Sequence, residues 1–209
     1  MAYRETEKMR QRKAEARQRI IDCTFQCVVD GGFRSARITR IADLAGVATG
    51  TIYRHFDSRE ELFAGVFRLA TQREVDKVAE ALATDGDAAT RLETALRQFA
   101  VRALRGPMMA WSLIAEPVDP KVEEERLTYR KAYADLFEQA ILEGIAEGCL
   151  PEQDARQSST CLVGAIAESL VGPLSPTQAG HNPAPKNDND PLIDSIIRFC
   201  IQGLTGTRR

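Results

Sequence analysis

I-T-R-I-A-D-L-A-G-V-A-T-G-T-I-Y-R-H-F, residues 38–56, decides how this chain is read. Ile38, Ile41, Ala42 and Ala45 recur at i, i+3, i+4 and i+7, which draws one apolar stripe along a helix. Gly46 then supplies the backbone freedom of a sharp exit. A second helix is expected over Thr49–Phe56, with Ile52 and Phe56 four residues apart and facing inward. At about 100° per residue, Gly50 and Arg54 point away from that pair, with Thr51 and Tyr53 on the flanks. The outward face thus has no bulk at one position, a long cation at another and hydroxyls beside them. A helix that must press into a groove lined by phosphates and base edges needs such a face. The pattern is that of a helix-turn-helix, although turn-linked short helices also occur in bundles that bind no nucleic acid.

The longer string A-D-L-A-G-V-A-T-G-T-I-Y-R-H-F-D-S-R-E-E-L-F, residues 42–63, resembles the DNA-binding domain of the TetR family of bacterial transcriptional regulators. The resemblance covers about Ile20 to Phe67, and its G-V-x-x-G-x-[IL]-Y-x-H-F core is specific. It implies an all-α protein. A helix-turn-helix domain over residues 1–57 would precede a helical domain over 58–209 that binds an effector and dimerises. The implied function is a ligand-responsive regulator, most simply a repressor released from operator DNA by a small molecule. In the family, Tyr53 and His55 match phosphate-contacting positions.

Two departures from the family pattern stand out. Arg37 and Arg40 occupy the cap of the second helix and the position three residues on, where a hydroxyl and an acid are usual. Cations at a helix N-terminus oppose its dipole, at a cost of about 0.3–1 kcal/mol. A bound phosphate would relieve that conflict. The alternative is two surface arginines, with Thr39 or Ser35 capping less well. Ala48 and Thr49 stand where many relatives carry Ser and Lys, so a capping hydroxyl and a cation are missing, and Arg54 returns the charge. With Arg59, the expected DNA contacts are Arg37, Thr39, Arg40, Thr49, Gly50, Thr51, Tyr53, Arg54 and His55.

Charge supports a polyanion at one end. Residues 1–60 carry twelve Lys/Arg against eight Asp/Glu, whereas the remainder carries sixteen against twenty-two. The acidic overall balance argues against a sequence-blind DNA binder, which would rely mainly on charge. An enzyme is the other rival. The chain has two histidines, no H-E-x-x-H, no phosphate-binding glycine loop and no G-x-S-x-G, so no catalytic, metal or cofactor set is expected. Five scattered cysteines do not make a disulfide framework. No apolar run reaches the roughly 18 residues of a membrane span, and the charged start does not read as a signal peptide. A cytoplasmic location follows as the expectation, with the first eight residues as a frayed helix start.

Beyond the motif the chain punctuates itself as helices. Ile20, Ile21, Phe25, Val28 and Val29 form a supporting face that stops at Gly31-Gly32. Ser58-x-x-Glu61 is a capping box for a helix to about Ala83. Asp87, Asp119-Pro120, Pro151 and Asp190-Pro191 open four more, with a short apolar stretch at residues 108–115. The segment 172–190, with four prolines, reads as a mobile polar loop. Leu162, Ile166, Leu170, Ile193, Ile197 and Cys200 give the last two helices more apolar surface than a small monomer readily hides. In the family the corresponding helices pair with their copies, so these six are the expected homodimer interface. Phe99, Met108, Met109, Trp111, Tyr129, Tyr133 and Phe137 gather the flexible and aromatic residues of the middle helices, where the family places its effector. Arg102, Glu116, Arg130 and Glu168 are the candidate polar anchors, and a largely apolar effector is expected. The same residues also suit a plain core.

Overall fold

A computed structural model describes residues 7–177 and 190–206. The described residues are helical throughout, without a strand: α1 (Glu7–Ser35), α2 (Ile38–Ala45), α3 (Thr49–Ile52), α4 (Arg59–Leu82), α5 (Ala88–Arg105), α6 (Pro107–Ile114), α7 (Pro120–Glu147), α8 (Ala155–Leu174) and α9 (Pro191–Thr205). None of these helices is long and apolar enough to cross a membrane.

Local chemistry accounts for most boundaries. Gly46 sits in the left-handed region at φ 66°, and the Val47 amide donates to Ala42 O at 3.0 Å, closing α2 where the glycine was expected to. Ser58 Oγ accepts from the Glu61 amide at 3.2 Å, Asp87 from Thr90 at 2.8 Å and Asp190 from Leu192 at 2.9 Å. Three expectations need correction. Asp119 makes no side-chain cap, and its carbonyl alone starts α7. The helix expected from Pro151 begins at Ala155, because Asp154 is the residue that caps it, on the Gln157 amide at 3.0 Å. At its other end α8 continues through Pro173 to Leu174, into the stretch read as loop. Leu174 is buried, so one more turn hides an apolar side chain. The rest of that loop, 178–189, lies outside the described residues, as do residues 1–6 of the expected frayed start.

Two cores follow. One joins Ile20, Ile41, Ile52, Phe56, Phe63 and Phe67, and takes Val122 from α7. The other joins Val78, Leu92, Leu96, Phe137, Ile141, Leu170, Ile193 and Ile197. Helix α4 feeds both, its first half entering the N-terminal core and its second half the C-terminal one. Glu61 on α4 pairs with Lys121 and with Arg68 at 3.3 Å, and Arg68 pairs with Glu125 at 2.5 Å, so α4 and α7 are also fastened by charge where the two cores meet.

Candidate nucleic-acid interface and effector cavity

The face expected to meet DNA is built from a shorter helix than its sequence suggests. Helix α3 ends at Ile52, and Tyr53 to His55 continue as tight turns: the His55 amide donates to Ile52 O at 2.9 Å and the Phe56 amide to the same carbonyl at 3.0 Å. Ile52 and Phe56 are still buried, so the inward pair anchors the turn as well as it would a helix. Thr49, Gly50, Tyr53 and Arg54 are exposed, with Thr51 and His55 half-buried. A side chain at Gly50 would meet nothing within the chain, so no neighbour in the protein demands the glycine. Around this face sits a basic rim. Arg37 and Thr39 are exposed, and no side chain caps α2. Arg40 pairs with Asp30 at 2.7 Å. Arg59 lies over the Phe63 ring and Arg17 over Phe56. Burial pushes the His55 imidazole below its ordinary pKa, and the nearby Lys13 and Arg17 push it further. Its Nδ1 is buried without a partner.

Some distance along the chain, α4, α5, α6, α7 and α8 enclose a cavity of about 180 Å3. Phe99, Arg102, Met109, Tyr129, Tyr133 and Phe137 line it, as does Arg130. Met108 and Trp111 do not, because α6 turns Met109, Ala110, Leu113 and Ile114 inward and its other face away. Trp111 packs on the C-terminal core instead. Glu168 belongs to an adjoining surface groove between α7 and α8, which shares Ile114, Arg130, Val163 and Ala167 with the cavity. Phe67, Thr71 and Glu74 of α4 and Arg126 of α7 complete the wall and were not singled out from sequence.

Glu116 has a different place from the one its position suggested. Its buried carboxylate accepts the amides of Phe33 and Arg34, both at 2.9 Å, across more than 80 residues. The chain reaches it through Gly32, at φ 77°, where a Cβ would stand 2.7 Å from a Glu116 oxygen. Only glycine satisfies both the conformation and the space. On the other side, Arg126 donates to Glu116 O at 2.8 Å, Leu113 O at 3.0 Å and Ser112 O at 3.3 Å. Arg126 is part of the cavity wall. A continuous hydrogen-bonded path therefore joins the cavity to the turn that precedes α2.

Residues 20–66 match the profile of bacterial regulatory proteins of the tetR family. That segment is a TetR-family DNA-binding domain. It is 22% identical over 199 residues to the fatty acid metabolism regulator protein of Bacillus subtilis, covering 94% of this chain and 98% of that one. It is 26% identical over 140 residues to the HTH-type transcriptional repressor KstR2 of Rhodococcus jostii, covering 65% and 68%. Its fold is similar to that of the fatty acid degradation regulator FadR from Bacillus halodurans, with a TM-score of 0.71, 22% identity and coverage of 93% and 97%. FadR from Bacillus subtilis, solved in complex with stearoyl-CoA, superposes with a TM-score of 0.68 at 19% identity, covering 90% and 98%. A chain with this domain is a transcriptional regulator and not an enzyme.

In this fold the residues expected at the subunit interface take a different place. Leu162, Ile166, Leu170, Ile193, Ile197 and Cys200 are each at most 4% exposed and close the chain's own C-terminal core. Ile166 also touches the cavity. Periodicity marks the apolar side of α8 and α9, and in the fold that side faces α5 and α7. The opposite sides carry Cys161, Gly164 and Ser169 on α8 and Phe199 and Gly203 on α9, all exposed.

Proposed function

We propose that this protein is a repressor that binds operator DNA as a homodimer in the cytoplasm and is released by a largely apolar effector. The observation that carries this reading is the path from the cavity through Arg126 and Glu116 to the Phe33 and Arg34 amides. Phe33 and Arg34 lead directly into α2, so a shift of α6 that moves Glu116 also moves the helix-turn-helix. A ligand that binds better in the shifted arrangement lowers DNA affinity by linkage. The cavity wall is mainly aliphatic and aromatic, and the relative solved with stearoyl-CoA carries a long apolar tail. An acyl compound is therefore the effector class that this reading favours.

On the DNA side, Thr49, Gly50, Thr51, Tyr53 and Arg54 enter the major groove, while Arg37, Thr39, Arg40, His55 and Arg59 hold phosphates. Arg54→Ala is expected to weaken operator binding by about 1–3 kcal/mol and relax preference at one base position. Fluorescence anisotropy with operator and random duplexes reads both effects. Equal weakening on every sequence, with the salt slope lower by about one, would move Arg54 to the phosphates. Unchanged affinity would remove it from the interface.

His55 gives the interface a pH dependence of definite sign. In the free protein its pKa is depressed by burial, Lys13 and Arg17, so the ring is neutral near neutrality. A phosphate beside it favours the imidazolium, so binding takes up a proton. Operator affinity should accordingly rise as pH falls through the ordinary histidine range, about 6.5. Stability of the free protein runs the other way: the contribution of His55 is present above the unfolded pKa and is lost as pH falls through the depressed folded one. His55→Gln should flatten the affinity profile, and a profile that keeps its slope would assign the proton elsewhere.

A further inference from the structure

Asp30 and Arg40 each carry the wrong charge for their place on their own helix. Asp30 closes the regular part of α1, whose backbone leaves helical geometry at Gly31 and Gly32. An acid there faces the negative end of the helix dipole. Arg40 lies in the first turn of α2, where neither an acid nor a side-chain cap meets the amides, so its charge faces the positive end. The two residues meet: Arg40 Nη2 donates to Asp30 Oδ2 at 2.7 Å. Gln26, one turn earlier on α1, donates from Nε2 to Asp30 Oδ1 at 2.8 Å. Both oxygens of Asp30 are thus occupied, and the carboxylate is held from behind.

The bond to Asp30 uses one nitrogen of the guanidinium. The rest of that group makes no hydrogen bond among the described residues, and the Arg40 side chain is 51% exposed. A guanidinium is a planar fork of five donors, so one arm tied to Asp30 leaves the others oriented and free for a phosphate. Arg37, at the cap of the same helix, is exposed and has no carboxylate partner among the described residues. One helix start therefore holds two kinds of cation. Arg37 keeps its full charge, whereas the charge of Arg40 is met and its direction is set.

The two kinds serve different complexes. Sequence-blind binding is loose and rests on net charge, whereas a specific complex also needs each phosphate contact in register. Asp30 cancels the charge that Arg40 would add to the first and supplies the fixed geometry that the second requires.

We infer that Asp30, held by Gln26, is a positioning residue that makes Arg40 a contact favouring operator over random DNA. The inference rests on the reading of α2 as part of the DNA face, and it adds two residues that need no DNA contact of their own.

The test is fluorescence anisotropy of the full-length protein with two labelled duplexes, one from the region upstream of the protein's own gene and one of random sequence. The readout is the ratio of the two affinities. Asp30→Asn should raise affinity for the random duplex about threefold or more and steepen its salt slope by up to about one, with no gain on the upstream duplex. The ratio falls accordingly. Gln26→Ala leaves both charges in place and frees the carboxylate, so it should weaken the upstream duplex about threefold and keep the random one within about twofold. Arg40→Ala should weaken the upstream duplex about tenfold. In that background Asp30→Asn should move the ratio by less than about twofold. Arg37→Ala is the contrast and should weaken both duplexes by a similar factor. A ratio unmoved by Asp30→Asn or by Gln26→Ala, a ratio that still falls in the Arg40→Ala background, or an Arg40→Ala protein that loses both duplexes alike would each overturn the proposal. A wild type that does not favour the upstream duplex sinks the operator reading and this one with it. One that favours it and keeps its ratio in Asp30→Asn sinks this proposal alone.

Discussion

Phe199→Glu is expected to yield a folded monomer that has lost operator binding. Phe199 is 69% exposed on α9, the most exposed of the large apolar side chains described. One turn on along α9, Gly203 leaves open space where a Cβ would stand, so a second helix can approach closely. An isologous dimer through this face places the same patch against itself. A glutamate there buries a charge against its own copy, which like-charge repulsion and desolvation both oppose. Because two half-sites act as one ligand, loss of the dimer should lower operator affinity about a hundredfold or more. Ile166→Glu serves as the contrasting variant. Its side chain lies in the core, so the charge should unfold the chain instead of separating subunits. Sedimentation equilibrium with circular dichroism distinguishes the two. A Phe199→Glu protein that stays dimeric would move the interface to another face.

The second large effect is expected at Glu116. Glu116→Ala strips the acceptor from the buried Phe33 amide and the partly buried Arg34 amide and leaves a void against Gly32. Each lost charge-assisted bond is worth about 1.5–3 kcal/mol, so the N-terminal core should loosen. The sign would be faster amide exchange at Phe33 and Arg34. Glu116→Gln is the gentler variant, since it retains one acceptor oxygen and the shape. With it, affinity for a cavity ligand should stay within about twofold. The ligand's effect on operator affinity should shrink about tenfold, within the usual range of allosteric coupling. If Glu116→Gln changes neither exchange nor coupling, the signal runs by another route, for which α4 is the obvious element because it contributes to both cores.

What could be read from the residues alone follows a physical division. Short-range grammar was legible: the Gly46 exit, the caps at Ser58, Asp87 and Asp190, and the buried pair Ile52 and Phe56 all depend on neighbours within one or two turns. The helix-turn-helix and the all-α class followed from them. The extent of α3 was not legible, because Tyr53 to His55 leave the helix while still satisfying an i, i+4 pattern. In the cavity, the aromatic members announced themselves on α5 and α7. Thr71 and Glu74 did not, since they lie on a stripe of α4 that reads as ordinary packing next to Phe67. Glu116 could not be read at all: its partners are more than 80 residues away. The interface went astray for a related reason. Periodicity shows that α8 and α9 have an apolar side but not which body covers it, and here the chain covers it itself.

The central claim is that occupation of the cavity controls DNA binding. Its most direct measurement is fluorescence anisotropy of a labelled duplex from the region upstream of the protein's own gene, titrated with the full-length protein in the presence and absence of methyl decanoate. The variant Ala167→Trp, which fills the cavity wall on α8, is measured alongside. Tight binding that exceeds binding to random duplex is expected, with a loss of affinity of about tenfold or more when the ligand is present and no ligand effect in Ala167→Trp. Binding to the operator that the ligand leaves unchanged, or a release that persists in Ala167→Trp, would contradict it.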